Sequence, residues 1–336
     1  MHKYIRLLHF DPFTLAMLAA VGAAAWLPLH GVAAGLAAVG VKAIIALLFF
    51  LYGARLPREL VVENIANWRL HTVITICSFV IFPSIVLAAR FVFPHALSDD
   101  LYTGLVFLAV LPSTLQASVV FTSIAQGNVA GAICSASLSN LLGIVLTPLL
   151  AMLLLGKETA SIGIGAIEAI FIQLLLPFLL GQVARRWIGS WTERNKSHLT
   201  LVDRGSVVLM VYVTFSSAFA GGLLHRLALS DLLAVLVANS VILILILFTS
   251  RLLARRLGFS RADEIAIVFC GSKKSLIVGL PMASVLFAGQ PIGVIVIPLM
   301  IYHQLQLIAC ATLARWYLRS SARHSSSLIV EPVKNA

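Results

Sequence analysis

Charge is what this chain lacks most. Of its 336 residues, 13 are acidic and 24 basic, together 11%, against 60% hydrophobic and a mean hydropathy of +1.01. A soluble domain carries roughly 25% charged residues, so an ordinary water-soluble fold is excluded and a membrane protein is expected. Cysteine is scarce as well. Cys77, Cys134, Cys270 and Cys310 each sit in an apolar run without CxxC spacing, which leaves neither a disulfide framework nor a zinc site and reads as packing. Catalytic signatures are missing too: there is no GxSxG, HExxH or phosphate-binding loop, so no enzyme is expected. The net charge of +11 does not point to nucleic acid, because the basic residues fall in short clusters between apolar segments.

What is there is a series of ten apolar runs, at 13–29, 32–53, 72–93, 101–126, 129–155, 162–184, 205–225, 231–252, 262–288 and 291–318. Each is near the roughly 20 residues that cross a bilayer as a helix. The first follows Lys3 and Arg6 and ends in AAVGAAAW, the outline of a signal peptide. It reads instead as an uncleaved first span, because the charge balance needs an even number. With both ends inside, eighteen basic residues fall on the cytoplasmic side and only Arg90, Lys157 and Arg226 opposite. That bias predicts a multi-pass protein of the inner (cytoplasmic) membrane with both termini cytoplasmic. Lys42, Lys273 and Lys274 are left at membrane depth. Residues 321–336 are polar and read as a disordered cytoplasmic tail.

An internal repeat is visible when Ser113 is set against Ser275. STLQASVVFTSIAQGNVAGAI then aligns with SLIVGLPMASVLFAGQPIGVI, matching Thr122 with Ser284, Gly127 with Gly289 and Gly131 with Gly293. The alignment pairs the fourth run with the ninth, five spans on, and an odd number of spans inverts one half against the other. Two inverted five-helix repeats are expected, 1–160 and 161–320. Both aligned runs are interrupted, by LPST at 111–114 and by CGSKKS at 270–275. An unwound stretch frees backbone groups that lipid cannot satisfy but an ion or substrate can, so paired interruptions point to a transport site.

The run LPSTLQASVVFTSIAQGNVAGAICSASLSNLLGIVLTPLL, the segment FFLYGARLPREL and the motif GSKKSLIVGLPMA resemble the bile acid:sodium symporter family, in particular its bacterial bile-acid-symporter-like (SBF-like) subgroup. The resemblance covers about residues 10–320. It implies an all-α polytopic fold of ten transmembrane helices. Spans 1, 2, 6 and 7 would form a panel and spans 3–5 and 8–10 a core domain in which broken spans 4 and 9 cross. It also implies alternating-access transport of organic anions, often with sodium. Carried over residue by residue, the sodium ligands are incomplete. Ser118 keeps a binding serine, but Val119 follows it; Ala132 and Ala136 stand at hydroxyl positions of span 5; Phe269 stands at an acidic position, Lys273 at a glutamine position, and Ser78 where span 3 has a glutamine. A residual sodium site at Ser118 and Ser135 is the most that this register leaves. Sodium and proton coupling both stay open, and no other cofactor is implied.

Three readings apply to the lysine pair. One ammonium, Lys273 first, takes the place of the ion, held by the C-terminal end of the preceding half-helix; or it binds the substrate's anion; or the pair snorkels to an interface. The expected substrate and ion contacts are Ser113, Thr114, Gln116, Ser118, Ser135, Ser139, Ser272, Lys273, Lys274 and Ser275, with His303, Gln304 and Gln306 facing the crossover from the tenth span. Ser135 and Ser139 can share one helix face at 3.6 residues per turn. Lys42 and Glu168 read as an intramembrane ion pair or a proton relay. Asn128 and Gln290 read as helix caps, and Gly35, Ala38, Gly131 and Gly143 as close contacts between helices. The sequence thus predicts a secondary transporter of a small organic anion that lives in the lipid bilayer, as a monomer or a homodimer. An ion channel, a non-transporting membrane regulator and, from the adjacency of Ser272 and Lys273, an intramembrane serine/lysine hydrolase are its rivals.

Overall fold

The computed structural model describes residues 12–55, 67–155, 168–222 and 227–329. Every regular element among the described residues is helical, as backbone in lipid must be when no sheet closes on itself. The order is α1 (Pro12–Trp26), α2 (Gly31–Arg55), α3 (Trp68–Val92), α4 (Asp99–Val110), α5 (Leu115–Ile124), α6 (Val129–Leu155), α7 (Glu168–Arg194), α8 (Lys196–Ala220), α9 (Leu229–Arg256), α10 (Arg261–Ser272), α11 (Leu276–Leu286) and, after a helical turn at Ile292–Ile295, α12 (Ile297–Ile329). Among the described residues eight helices are long and apolar enough to cross a membrane, α10 with α11 counting as one. The pair α4 and α5, bent by 62°, makes nine. α1, expected as a full span, is an apolar helix of 15 residues. α12 carries helix past residue 320, where the sequence places the start of a tail; residues 330–336 lie outside the described residues. Lys3, Arg6, Arg58, Lys157, Arg226 and Lys334, which enter the charge count, lie outside them as well.

Proline sets the local departures from α geometry. In α3 the segment Cys77–Ile81 is a π-turn, in which the Phe82 N–H reaches back to the Cys77 carbonyl. Pro83 follows and has no N–H to offer, so the Ser78 carbonyl is left for another donor. α7 repeats the device at Phe171–Leu175, ahead of Pro177. Between α4 and α5, Pro112 forces Leu111 into extended backbone (φ −70°, ψ 152°) and ends the helix.

α2 and α7 cross at a pair of glycines. A Cβ on Gly53 would collide with the Phe178 carbonyl, and one on Gly181 with the Phe50 carbonyl, so the backbones touch where each helix carries no side chain. Gly143 likewise lies against Pro112, and Gly131 against Leu70 and Asn128. Gly35 and Ala38 do not share this role: both are exposed, and nothing lies within 4 Å of a Cβ on Gly35. Lys42 and Glu168 are exposed too and form no ion pair with each other among the described residues, so the expected bridge is absent. The physical reason is their placement on outward faces of α2 and α7, at the margin of the packed helices.

The segment α10–α11 is the most enclosed of the eight long spans, with 94% of its most apolar stretch buried. This answers how two lysines tolerate membrane depth. Both are fully covered by protein, so neither snorkels.

Candidate functional site

The two interruptions cross and bond directly. The Ser275 N–H donates to the Pro112 carbonyl at 2.9 Å, and Thr114 Oγ1 donates to the Lys274 carbonyl, also at 2.9 Å. Carbonyls at the end of a helix have no partner within it, and around the end of α4 they are satisfied by several donors. Leu108 O accepts from the Leu111 N–H (3.3 Å). Val110 O accepts from Thr147 Oγ1 (2.8 Å). Ala109 O and Leu111 O both accept from Lys274 Nζ, at 2.7 and 2.8 Å. The same ammonium takes the Ser78 carbonyl at 2.7 Å, the one that the π-turn and Pro83 left over. It lies 4.3 Å from the centre of the Phe82 ring. All three ammonium protons thus meet carbonyl oxygens at the negative end of a half-helix, in protein shielded from water.

The sequence reading gives this seat first to Lys273, at the end of α10. The ammonium that sits among carbonyls is that of Lys274, and the helix it closes is α4. Lys273 Nζ instead stands 3.8 Å from the centre of the Phe121 ring and makes no hydrogen bond. The extended backbone at Lys273 (φ −89°, ψ 146°) separates the two side chains. α10 is closed by neutral donors. Ser118 Oγ bonds Phe269 O (3.3 Å), Tyr302 OH bonds Ser272 O (2.7 Å), and Gln306 Nε2 bonds Lys274 O (3.0 Å), while its Oε1 accepts from the Lys274 N–H (2.9 Å). Ser272 Oγ donates to Val268 O at 2.6 Å, within its own helix, so it does not meet Lys273 as a nucleophile–base pair would.

The remaining expected contacts divide. Ser139 Oγ accepts from the Ser113 N–H (3.0 Å), and the Ser113 and Ser118 hydroxyls lie 3.4 Å apart, so all three belong to the crossing. Ser135 does not meet Ser118; its hydroxyl pairs with His71 Nδ1 at 2.7 Å. The reason is their separation by one turn along α6, which sets Ser135 beside His71 of α3 and Ser139 beside the Ser113 N–H. His303 pairs with Gln306 (3.1 Å), and Gln304 turns to α1, where Thr14 donates to it (2.9 Å). The Ser78 hydroxyl is buried without a partner. Asn128 caps α6, its Oδ1 taking the Gly131 N–H at 2.8 Å.

The opposite ends of the crossing face a cavity of about 440 Å³. Thr114, Leu115 and Gln116 at the start of α5 and Ser275, Ile277 and Val278 at the start of α11 line it, with Ser137 and Asn140 of α6. α2, α7 and α8 supply the facing wall, including Tyr52, Arg55, Phe178 and Asp203, and Lys196 and Thr200 stand there as well. Two helix N-termini therefore open on one cavity, each with a partial positive charge, and at α11 the Val278 N–H is capped by Ser275 Oγ (3.3 Å). Arg55 holds Asp203 as a fork, at 2.6 and 3.3 Å, and the Tyr52 hydroxyl and Asn140 Oδ1 are buried without partners. Arg55, Tyr52, Asn140, Asp203 and Tyr302 are absent from the sequence-based set. Arg55 counts there only toward topology, although its place at the end of an apolar run was a usable signal.

Such an arrangement suits a transporter, and comparison with known proteins agrees. The chain is 49% identical over 323 residues to the uncharacterized protein PA2026 of Pseudomonas aeruginosa, covering 96% of this chain and 97% of that one. It is 44% identical over 319 residues to the Escherichia coli protein named "Putative symporter YfeH", covering 95% and 96%. The mouse protein named sodium/bile acid cotransporter 7 is 31% identical over 302 residues, covering 88% and 89%. A family model matches residues 11–319. With that match running through both interruptions and every cavity-lining helix, the chain belongs to the SBF-like CPA transporter family.

Proposed function

We propose that this protein is a secondary transporter that carries a small organic anion across the cytoplasmic membrane by alternating access. One observation carries the proposal: the N-termini of α5 and α11 line a single cavity beside Arg55 and Lys196. Each helix start acts as about half a positive charge, and backbone N–H groups at such a start are ready anion ligands. The cavity volume suits a small organic molecule.

In this reading the ten spans form two inverted repeats, 1–160 and 161–320. α1, α2, α7 and α8 form a panel, the other helices form a core, and transport moves one against the other. With both termini cytoplasmic, the basic rim of Arg55 and Lys196 makes this an inward-open state. Lys274 supplies, as a tethered charge, what a coupling cation would bring to the end of α4. Sodium is therefore not required, although the name of the mouse relative includes it.

Uptake of labelled organic anions into proteoliposomes tests the proposal. Uptake is expected to survive replacement of sodium by choline, and to be lost in Ser137→Phe, which fills the cavity, while the variant stays monodisperse. Undiminished uptake by Ser137→Phe, preference for a cation, or strict sodium dependence would each overturn the corresponding part.

A further inference from the structure

A second polar cavity lies away from the crossing, where α9 ends, α10 begins and α12 passes. It measures about 160 Å³ and is lined by Arg251, Arg255, Arg261, Glu264, Trp316 and Tyr317. Three guanidinium groups thus face one carboxylate. Glu264 is divided between two of them: Arg251 Nε holds Oε1 at 3.1 Å and Arg255 Nε holds Oε2 at 2.9 Å. Tyr317 OH also donates to Oε1, at 2.7 Å. The third, Arg261, is fastened by its terminal nitrogen to the Tyr317 carbonyl (3.1 Å) and to Ser320 Oγ.

This arrangement leaves a specific opening. Arg251 and Arg255 use only their inner nitrogens on Glu264, and their terminal nitrogens make no hydrogen bond among the described residues. A guanidinium presents its terminal nitrogens as a planar fork that matches two oxygens of a phosphate or carboxylate. Two such forks remain beside a carboxylate that already neutralises one charge of three. The Glu264 side chain is 7% exposed and those of Arg251 and Arg255 are 31% and 58% exposed, so the acid lies beneath and the forks lie toward the surface.

The rim identifies the source of the anion. Phe248, Leu252, Leu257 and Leu318 are exposed apolar side chains near the three arginines in sequence, and Trp316 is 45% exposed with Arg251 stacked 4.5 Å from its ring centre. A basic pocket at the ends of apolar helices, bordered by tryptophan, is suited to a phospholipid headgroup. A soluble phosphate would have no use for the apolar rim.

We propose that Arg251 and Arg255 form a binding site for the phosphate of an anionic phospholipid, whose chains lie along Phe248 and Leu252 and tie α9, α10 and α12 together. The inference does not depend on what the transport cavity carries. Two uncompensated positive charges at the headgroup correspond to about a thirtyfold preference for an anionic over a zwitterionic lipid. Full-length protein purified from mixed micelles of phosphatidylglycerol and phosphatidylcholine is to be examined by native mass spectrometry, with Arg255→Lys keeping a cation for Glu264 but losing the fork. Arg186→Lys serves as a control elsewhere. Wild type and Arg186→Lys are expected to retain phosphatidylglycerol at about that preference, and Arg255→Lys at under a fifth of it. Equal retention of both lipids by the wild type, or an unchanged preference in Arg255→Lys, overturns the site. Loss of bound phosphatidylglycerol to an equal concentration of inorganic phosphate overturns the lipid as its source.

Discussion

Replacing Lys274 by alanine removes an ammonium from three backbone carbonyls at 2.7, 2.7 and 2.8 Å. A hydrogen bond to a charged group contributes about 1.5–3 kcal/mol net, and each buried carbonyl left unsatisfied costs about 1–3 kcal/mol. These are two views of one loss and do not add. The wild-type lysine also bears a desolvation cost of several kcal/mol, which the variant escapes. The net destabilisation expected is therefore about 3–5 kcal/mol, the range for removing one partner of a buried charged group. The variant further acquires a property that the wild type lacks. Three carbonyls converging at the end of α4, with the lysine stem gone, form a seat for a small monovalent cation. If sodium or ammonium binds there with a dissociation constant of about 10 mM, 100 mM restores about 1.4 kcal/mol. The assay is unfolding of the detergent-solubilised variant in sodium, ammonium and choline chlorides at equal ionic strength. Stability within about 1 kcal/mol of the wild type, or the same stability in all three salts, would refute the account of Lys274 as a tethered cation.

Lys273→Met is expected to behave differently, holding stability within about 1 kcal/mol of the wild type in the same unfolding assay, because its ammonium has only the Phe121 ring to lose. Gly181→Val places carbons where the Phe50 carbonyl lies and should cost about 3 kcal/mol, the upper end for overpacking, or prevent recovery of monodisperse protein, whereas exposed Gly35→Val should be recovered normally by size-exclusion chromatography. Asp203→Asn releases the Arg55 fork beside the cavity, so proteoliposome uptake should show a several-fold lower KM for the anion; a raised KM would mean that Arg55 does not reach it.

The apolar runs were legible because lipid leaves few alternatives: long uncharged stretches become helices, and Pro112 and the glycine–lysine motif mark where two of them break. Which lysine seats its charge was not legible. Lys273 and Lys274 are adjacent and chemically identical, and the choice turns on one extended backbone position and on the Ser78 carbonyl that Pro83 sets free 196 residues away. Ser135 illustrates the same limit. Periodicity groups it with Ser139, but only the packing of α3 against α6 supplies the histidine that claims its hydroxyl. The cavity was half legible, since helix starts at the interruptions follow from the breaks, while the facing Arg55, Tyr52 and Asp203 come from helices that carry no interruption.

The two half-helix pairs are unequal, and the inequality bears on what drives transport. At the crossing both positive helix starts turn toward the cavity and both negative ends turn away from it, so an anion there is favoured only as far as the negative ends are compensated nearby. At α4 the compensation is a full charge held by three hydrogen bonds; at α10 it is made of the hydroxyls of Ser118 and Tyr302 and the amide of Gln306, with the Lys273 ammonium a short way off over an aromatic face. A transporter that draws this charge from solution makes anion affinity rise and fall with the ion. One that holds the charge on its own side chain does not. On the proposed reading, the anion's affinity here is then set by Lys274 and the helix ends, and removing sodium should leave KM unchanged in the wild type while Lys274→Ala makes it depend on the cation present.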